Sequence, residues 1–229
     1  MVISRRTFLG ASSAAAAALV GIRSRTLQPL SACSDEQNVC GLVHLKENCW
    51  VRESFEGYCA VLPHTRLDSA SPQGAWDTCR FMIFPAATTI DPESAERISR
   101  ALRNGKSVLL ESALGFVERD DFVRAQGSLA KHFDVSVAQR VDLWSGAGRR
   151  VPYIDFTWPR PAKVRDFSRV VTIPVRDDEV IARADGIPVG MKRRFGRGTL
   201  IVLGSLLGPS LLAGDRESRS WLDGVLLHA

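Results

Sequence analysis

Residues 80–110 constrain the fold most. Arg80-Phe-Met-Ile-Phe84 is an apolar run closed by Pro85, the form of a strand covered on both faces. Beyond it, Asp91 can cap a helix with Pro92 at its first position. Ala95, Ile98 and Leu102 then recur at helical spacing, and Gly105 stands just past the helix end. A second apolar run, Ser107–Leu110, follows at once. Strand, helix and strand in this order predict a βαβ unit, and with it a parallel pair joined by a right-handed crossover.

The alternation continues downstream. A helix is expected over 120–132, with Phe122, Val123, Leu129 and Phe133 as its apolar positions, followed by a strand-like stretch over 135–143. Near the C-terminus, 179–183 and 189–195 read as strands. Gly196-Arg-Gly198 turns the chain into an apolar strand over 199–204, and a last helix is expected over 216–227. Upstream, Tyr58–Leu62 reads as a first strand and 67–75 as a loop. The Gly- and Pro-rich segment 145–164 reads as a long excursion outside the core. Residues 33–56 mix charges with isolated apolar residues and read as a Cys-containing N-terminal extension to a domain over 57–229.

The first 32 residues form a separate unit. Ser4-Arg-Arg-Thr-Phe-Leu9, followed by a run rich in Ala and Gly, resembles the twin-arginine signal of bacterial proteins exported after folding. The run is too short and too weakly apolar to be a bilayer span, and no transmembrane segment is expected beyond it. The implied partner is the twin-arginine export machinery, and the implied location is the periplasm. Four of the 30 basic residues lie in this segment and no acid does, so the rest of the chain holds 26 basic against 25 acidic residues. That balance removes the compositional case for nucleic acid. The basic run Met191–Arg197 is explained equally well as a charged hairpin edge. Tyr153-Ile-Asp-Phe-Thr-Trp-Pro159 reads as loop packing or, where exposed, as a partner surface.

All five cysteines lie between residues 33 and 79. Leu30-Ser-Ala-Cys33 has the form of a lipoprotein processing site, which makes Cys33 a candidate for lipidation; cleavage near Ala32 or a retained signal is the alternative. Cys40, Cys49, Cys59 and Cys79 lack the close C-x-x-C pair that metal sites use. In an oxidising compartment they are candidates for disulfides or plain buried thiols. No metal and no cofactor is expected.

The stretches 81–115 and 179–208 together resemble the class I glutamine amidotransferase-like superfamily. The resemblance implies an α/β fold, a three-layer flavodoxin-like sandwich with a mostly parallel sheet and a late β-hairpin. Such domains carry a cysteine nucleophile on the turn after the strand matching 108–110, and a histidine base on the loop after the last strand. Here Ala113 falls at the cysteine position, and the loop Gly204–Pro209 holds no histidine. A thiol and its base act as a unit, so this route to catalysis is closed. The candidate cleft residues are Glu111, Ser112, Ala113, Ser205 and His64. Three readings stay open: an inactive module that binds a periplasmic protein or small ligand, a hydrolase with a rearranged Ser112, Glu111 and His64 site, and a redox protein with a cysteine-bound metal.

Overall fold

The computed structural model describes residues 39–45, 52–143, 153–166 and 169–228. Its centre is a nine-stranded sheet. Strands β1 (Val39–His44), β2 (His64–Asp68), β3 (Cys79–Ala87) and β4 (Ser107–Ser112) come first. The short β5 (Arg140–Asp142), β6 (Tyr153–Phe156), β7 (Ala162–Arg165) and β8 (Arg169–Val171) follow, then β9 (Val180–Ala184), β10 (Ile187–Phe195) and β11 (Gly198–Leu203). The sheet order is β2-β1-β3-β4-β11-β10-β9-β6-β7, with β5 and β8 forming a separate ribbon. From β2 to β11 every pair is parallel; β10, β9, β6 and β7 extend the sheet antiparallel.

Among the described residues six α-helices accompany the strands: α1 (Arg52–Val61), α2 (Gln73–Thr78), α3 (Pro92–Arg103), α4 (Arg119–Phe133), α5 (Gly208–Leu212) and α6 (Arg216–His228). Side chains of the central strands alternate between two apolar clusters, as the pleat requires. Met82, Phe84, Val108, Leu110, Leu200 and Val202 pack with Ile98 and Leu102 of α3 and with Leu129 and Phe133 of α4. Ile83, Leu109, Ile201 and Leu203 pack with Phe55 and Tyr58 of α1 and with Trp221, Leu222 and Val225 of α6. Helix α3 forms as the sequence dictates: the Asp91 carboxylate accepts from the Ser94 amide at 2.9 Å, and Gly105 takes a φ of +88°. No helix among the described residues is long and apolar enough to cross a membrane.

Several expectations are corrected. Residues 39–44 do not belong to an extension; they form β1, inside the sheet between β2 and β3, so the folded unit begins upstream of 57. Tyr58–Leu62 is not a strand: Tyr58–Val61 is the last turn of α1, with Tyr58 buried one turn after Phe55, and Leu62 follows the helix end. The segment 145–164 contributes β6 and joins β7, whose Ile154, Phe156, Ala162 and Val164 are core residues. Pro85 does not end β3. The strand continues to Ala87 through a register shift between Phe84 and Ala87, which accommodates a residue without an amide hydrogen. In α4, Val123 is 59% exposed rather than apolar packing. The N-terminal segment, with Cys33, lies outside the described residues.

Candidate functional site

The turn after β4 lies at the C-terminal edge of the parallel strands, where α/β sheets usually bind ligands. Glu111, the penultimate residue of β4, is fully buried there. Its carboxylate accepts five hydrogen bonds. Oε1 takes the Tyr58 hydroxyl at 3.0 Å and the backbone amides of Leu207 at 2.5 Å and Gly208 at 3.0 Å. Oε2 takes the Ser54 hydroxyl and the Ala86 amide, the latter at 3.0 Å. Ala86 presents that amide from a left-handed conformation, φ +49°, which is uncommon for a residue with a side chain. One carboxylate thus joins α1, the end of β3 and the loop between β11 and α5.

Burial pushes the Glu111 pKa above the ordinary carboxylate value, against the hydrogen bonds from Ser54, Gly208, Leu207 and Tyr58, which pull it down. Burial also raises the Tyr58 hydroxyl well above its usual value, and the neighbouring Glu111 adds to the rise. The close packing of two glycines brings the loop amides within reach. A Cβ on Gly57 would lie 1.9 Å from the Gly208 carbonyl oxygen, and one on Gly208 would lie 2.3 Å from that of Ser54. Helix α1 and the start of α5 therefore touch backbone to backbone.

The other candidate residues are also interior. Ala113 is fully buried with Ala86 and Leu206, at φ −93° and ψ 15°, and its amide donates to the Ala87 carbonyl at 3.0 Å. Ser112 points to the opposite face from Glu111, beside a void of about 10 Å³ lined also by Thr88, Ile90, Ser128 and Leu129. Ser205 is buried as well. Gly115 does not have a positive φ. It is required because a Cβ there would lie 2.5 Å from the Arg169 carbonyl oxygen, so close approach rather than a sharp bend explains it.

His64 is not brought to this group. It opens β2, paired with Cys40, while Ser112 closes β4; the strands are parallel, so the two residues sit at opposite edges of the sheet. Its Nδ1 lies 2.9 Å from the Leu62 carbonyl oxygen, which fixes Nδ1 as the donor, and its Nε2 lies 3.5 Å from the Cys59 sulfur. Burial raises the Cys59 thiol pKa, with Arg66 opposing, so this contact does not make a ready thiolate. Ser112, Glu111 and His64 therefore form no catalytic arrangement.

Cys40, Cys59 and Cys79 are free thiols, and Cys49 lies outside the described residues. Cys40 packs in the cluster on the α1 face and Cys79 in the cluster on the other. Burial raises the Cys40 pKa to about 12. No group of three or more His, Cys, Asp or Glu residues able to hold a metal occurs among the described residues. Ser54 and Tyr58, which complete the Glu111 cluster, were not identifiable from sequence; they stand 57 and 53 residues before it.

One open cavity does border the C-terminal ends of the parallel strands. It occupies about 590 Å³ and is lined by His44 of β1, Arg66 and Asp68 of β2, Pro85 of β3 and Arg52, Phe55 and Glu56 of α1. No functional residue had been expected in it.

Neither protein-family models nor curated proteins match this chain. Solved structures do. A β-galactosidase from Bacillus circulans sp. alkalophilus superposes with a TM-score of 0.56 at 14% identity, over 82% of this chain and 31% of that one. The β-galactosidase of Rahnella sp. R3 gives 0.58 at 12% identity, over 83% and 31%. A cytoplasmic protein of Salmonella typhimurium gives 0.55 at 11% identity, over 83% and 98%. The chain thus spans about a third of the galactosidases' length, and at these identities the likeness is one of fold. The shared architecture is α/β with a large sheet whose central strands are parallel.

Proposed function

We propose that this chain is a catalytically inactive amidotransferase-like domain, a three-layer flavodoxin-like sandwich, that is exported to the periplasm and serves there as a binding or accessory module. The observation that carries the reading is the closed turn. Ala113 is sealed beneath Leu206 and Ala86, and the neighbouring carboxylate has both oxygens occupied by donors. A general base needs a free lone pair within reach of a substrate proton, and Glu111 offers none. The strand order β2-β1-β3-β4-β11 agrees with the doubly wound 2-1-3-4-5 order of flavodoxin-like sheets. Apolar clusters on both faces suit a layer of helices on each side. The antiparallel β10–β11 pair fits the late hairpin.

The test of inactivity is turnover. Purified chain is expected to release no product from p-nitrophenyl acetate or from glutamine, at rates above buffer alone. Hydrolysis that the Ser112→Ala variant abolishes while remaining folded would replace this reading with the hydrolase. Export is tested by cell fractionation: the chain should reach the periplasm, and an Arg5→Lys, Arg6→Lys variant should stay in the cytoplasm. Delivery of that variant at the normal level would remove the export half of the reading.

A further inference from the structure

The topology leaves a gap in the upper edge of the sheet. After β1 the chain enters α1 on one face, while after β3 it enters α3 on the other, and β1 and β3 are neighbours. Crossovers that part in this way open a crevice beyond the strand ends. The cavity of about 590 Å³ borders that point, and its size is that of a small-molecule site. Its apolar walls are Val43, Leu45, Phe55, Leu67 and Pro85.

The charges lining it are not equivalent. Arg52 is paired with Glu56 at 2.6 Å. The Asp68 carboxylate accepts the Ala70 amide and the Ser71 hydroxyl, each at 2.9 Å, and so closes its own turn. Arg66 differs: its guanidinium carbon lies over the Phe55 ring, 4.9 Å from the centroid, one side of the guanidinium meets the Cys59 sulfur, and no carboxylate among the described residues forms an ion pair with it. The His44 ring meets the same phenyl edge-on at 5.2 Å. A guanidinium anchored over an aromatic ring and touching a single thiol has further N–H donors to offer an anion.

From this arrangement we infer that the cavity binds a small organic anion with a flat aromatic body, its acidic group taken by Arg66 and its ring laid against the exposed His44 imidazole. The inference rests on the binding-module reading and supplies its ligand class. It requires no contribution from Glu111, Ser112 or Ala113.

The test uses purified full-length chain and two fluorescent probes of similar shape. One is 8-anilinonaphthalene-1-sulfonate, an aromatic anion; the other is N-phenyl-1-naphthylamine, which lacks the charge. The anionic probe should bind saturably at one per chain. An Arg66→Glu variant should weaken it by about tenfold or more, Arg66→Lys by less, and neither should shift the uncharged probe comparably. Arg176→Glu, an exposed charge change away from the cavity, should leave both probes unaffected. Arg66 is exposed, so the variants should keep the wild-type unfolding midpoint. The inference is overturned if the anionic probe fails to bind at one per chain, if Arg66→Glu leaves its affinity unchanged, or if Arg176→Glu weakens it equally. Hydrolytic turnover would defeat the inactive reading without altering these titrations, so the two can fail separately.

Discussion

Glu111→Ala should lower the free energy of unfolding by about 3–5 kcal/mol, a loss of the size seen when one partner is removed from a buried charged network. The substitution leaves the Ser54 and Tyr58 hydroxyls and the amides of Ala86, Leu207 and Gly208 facing a cavity, each without the acceptor it now has. Urea unfolding measures the effect directly, with an unchanged slope showing that the transition itself is the same. A loss under about 1 kcal/mol would mean that these donors find other partners and that the carboxylate is not what joins the three segments. Glu111→Gln keeps the volume and one acceptor oxygen but turns an NH₂ toward existing donors, so an intermediate loss is expected. The pH dependence has a definite sign. Because burial raises the folded-state pKa of Glu111, the stability linked to its protonation is fully present below the unfolded carboxyl's pKa and is lost as pH rises through the raised value. The advantage of wild type over Glu111→Gln should accordingly be greatest at acid pH and narrow as pH increases.

Gly57→Ala is expected to cost about 3 kcal/mol, against the usual direction of such a change. Inside a helix, alanine normally stabilises by about 1 kcal/mol relative to glycine. Here the new methyl would stand 1.9 Å from the Gly208 carbonyl oxygen, and a backbone carbonyl cannot rotate away as a side chain does. Helix α1 must therefore withdraw from the 207–208 loop, which also draws the loop amides away from Glu111. The two substitutions consequently share one mechanism, and their double mutant should lose less than the sum of the single losses. Gly74→Ala provides the comparison: a Cβ at that helical position meets nothing within 4 Å, so the ordinary propensity gain should appear. If Gly57→Ala were as harmless as Gly74→Ala, the backbone contact between α1 and α5 would not exist as described.

Local signals made the centre of the fold legible. The cap at Asp91, the apolar spacing of α3 and the runs of β3 and β4 are each written within a few residues, and they located the βαβ unit. Beyond it, two kinds of signal were obscured. Tyr58-Cys-Ala-Val-Leu62 looks like a strand only as a short apolar run between polar neighbours, whereas Phe55, Tyr58 and Leu62 recur at helical spacing over α1 and the residue after it. Strands β6 and β7 alternate buried and outward residues cleanly, but four residues between glycines and prolines give too short a pattern to outweigh their flanks. At the site, the sequence showed no thiol at 113 and no histidine in the loop 204–209. It did not reveal the role of Glu111, because the groups that surround it are two side chains far upstream and three backbone amides, and a backbone amide has no residue identity to read. Likewise, the cavity at Arg66 exists because β1 belongs to the sheet, a pairing that no local pattern in 33–56 announced.

The turn after β4 is closed, so that a nucleophile placed there would meet neither solvent nor substrate. Introducing the thiol that the turn lacks tests this most directly. Ala113→Cys adds one sulfur at a position of zero exposure, covered by Leu206 and Ala86. Labelling with 5,5′-dithiobis-(2-nitrobenzoic acid), measured beside wild type to subtract the native cysteines, should show no additional reactive thiol in the folded protein and one additional equivalent in denaturant. Rapid labelling of that extra thiol under native conditions would instead show that the turn is open and accessible.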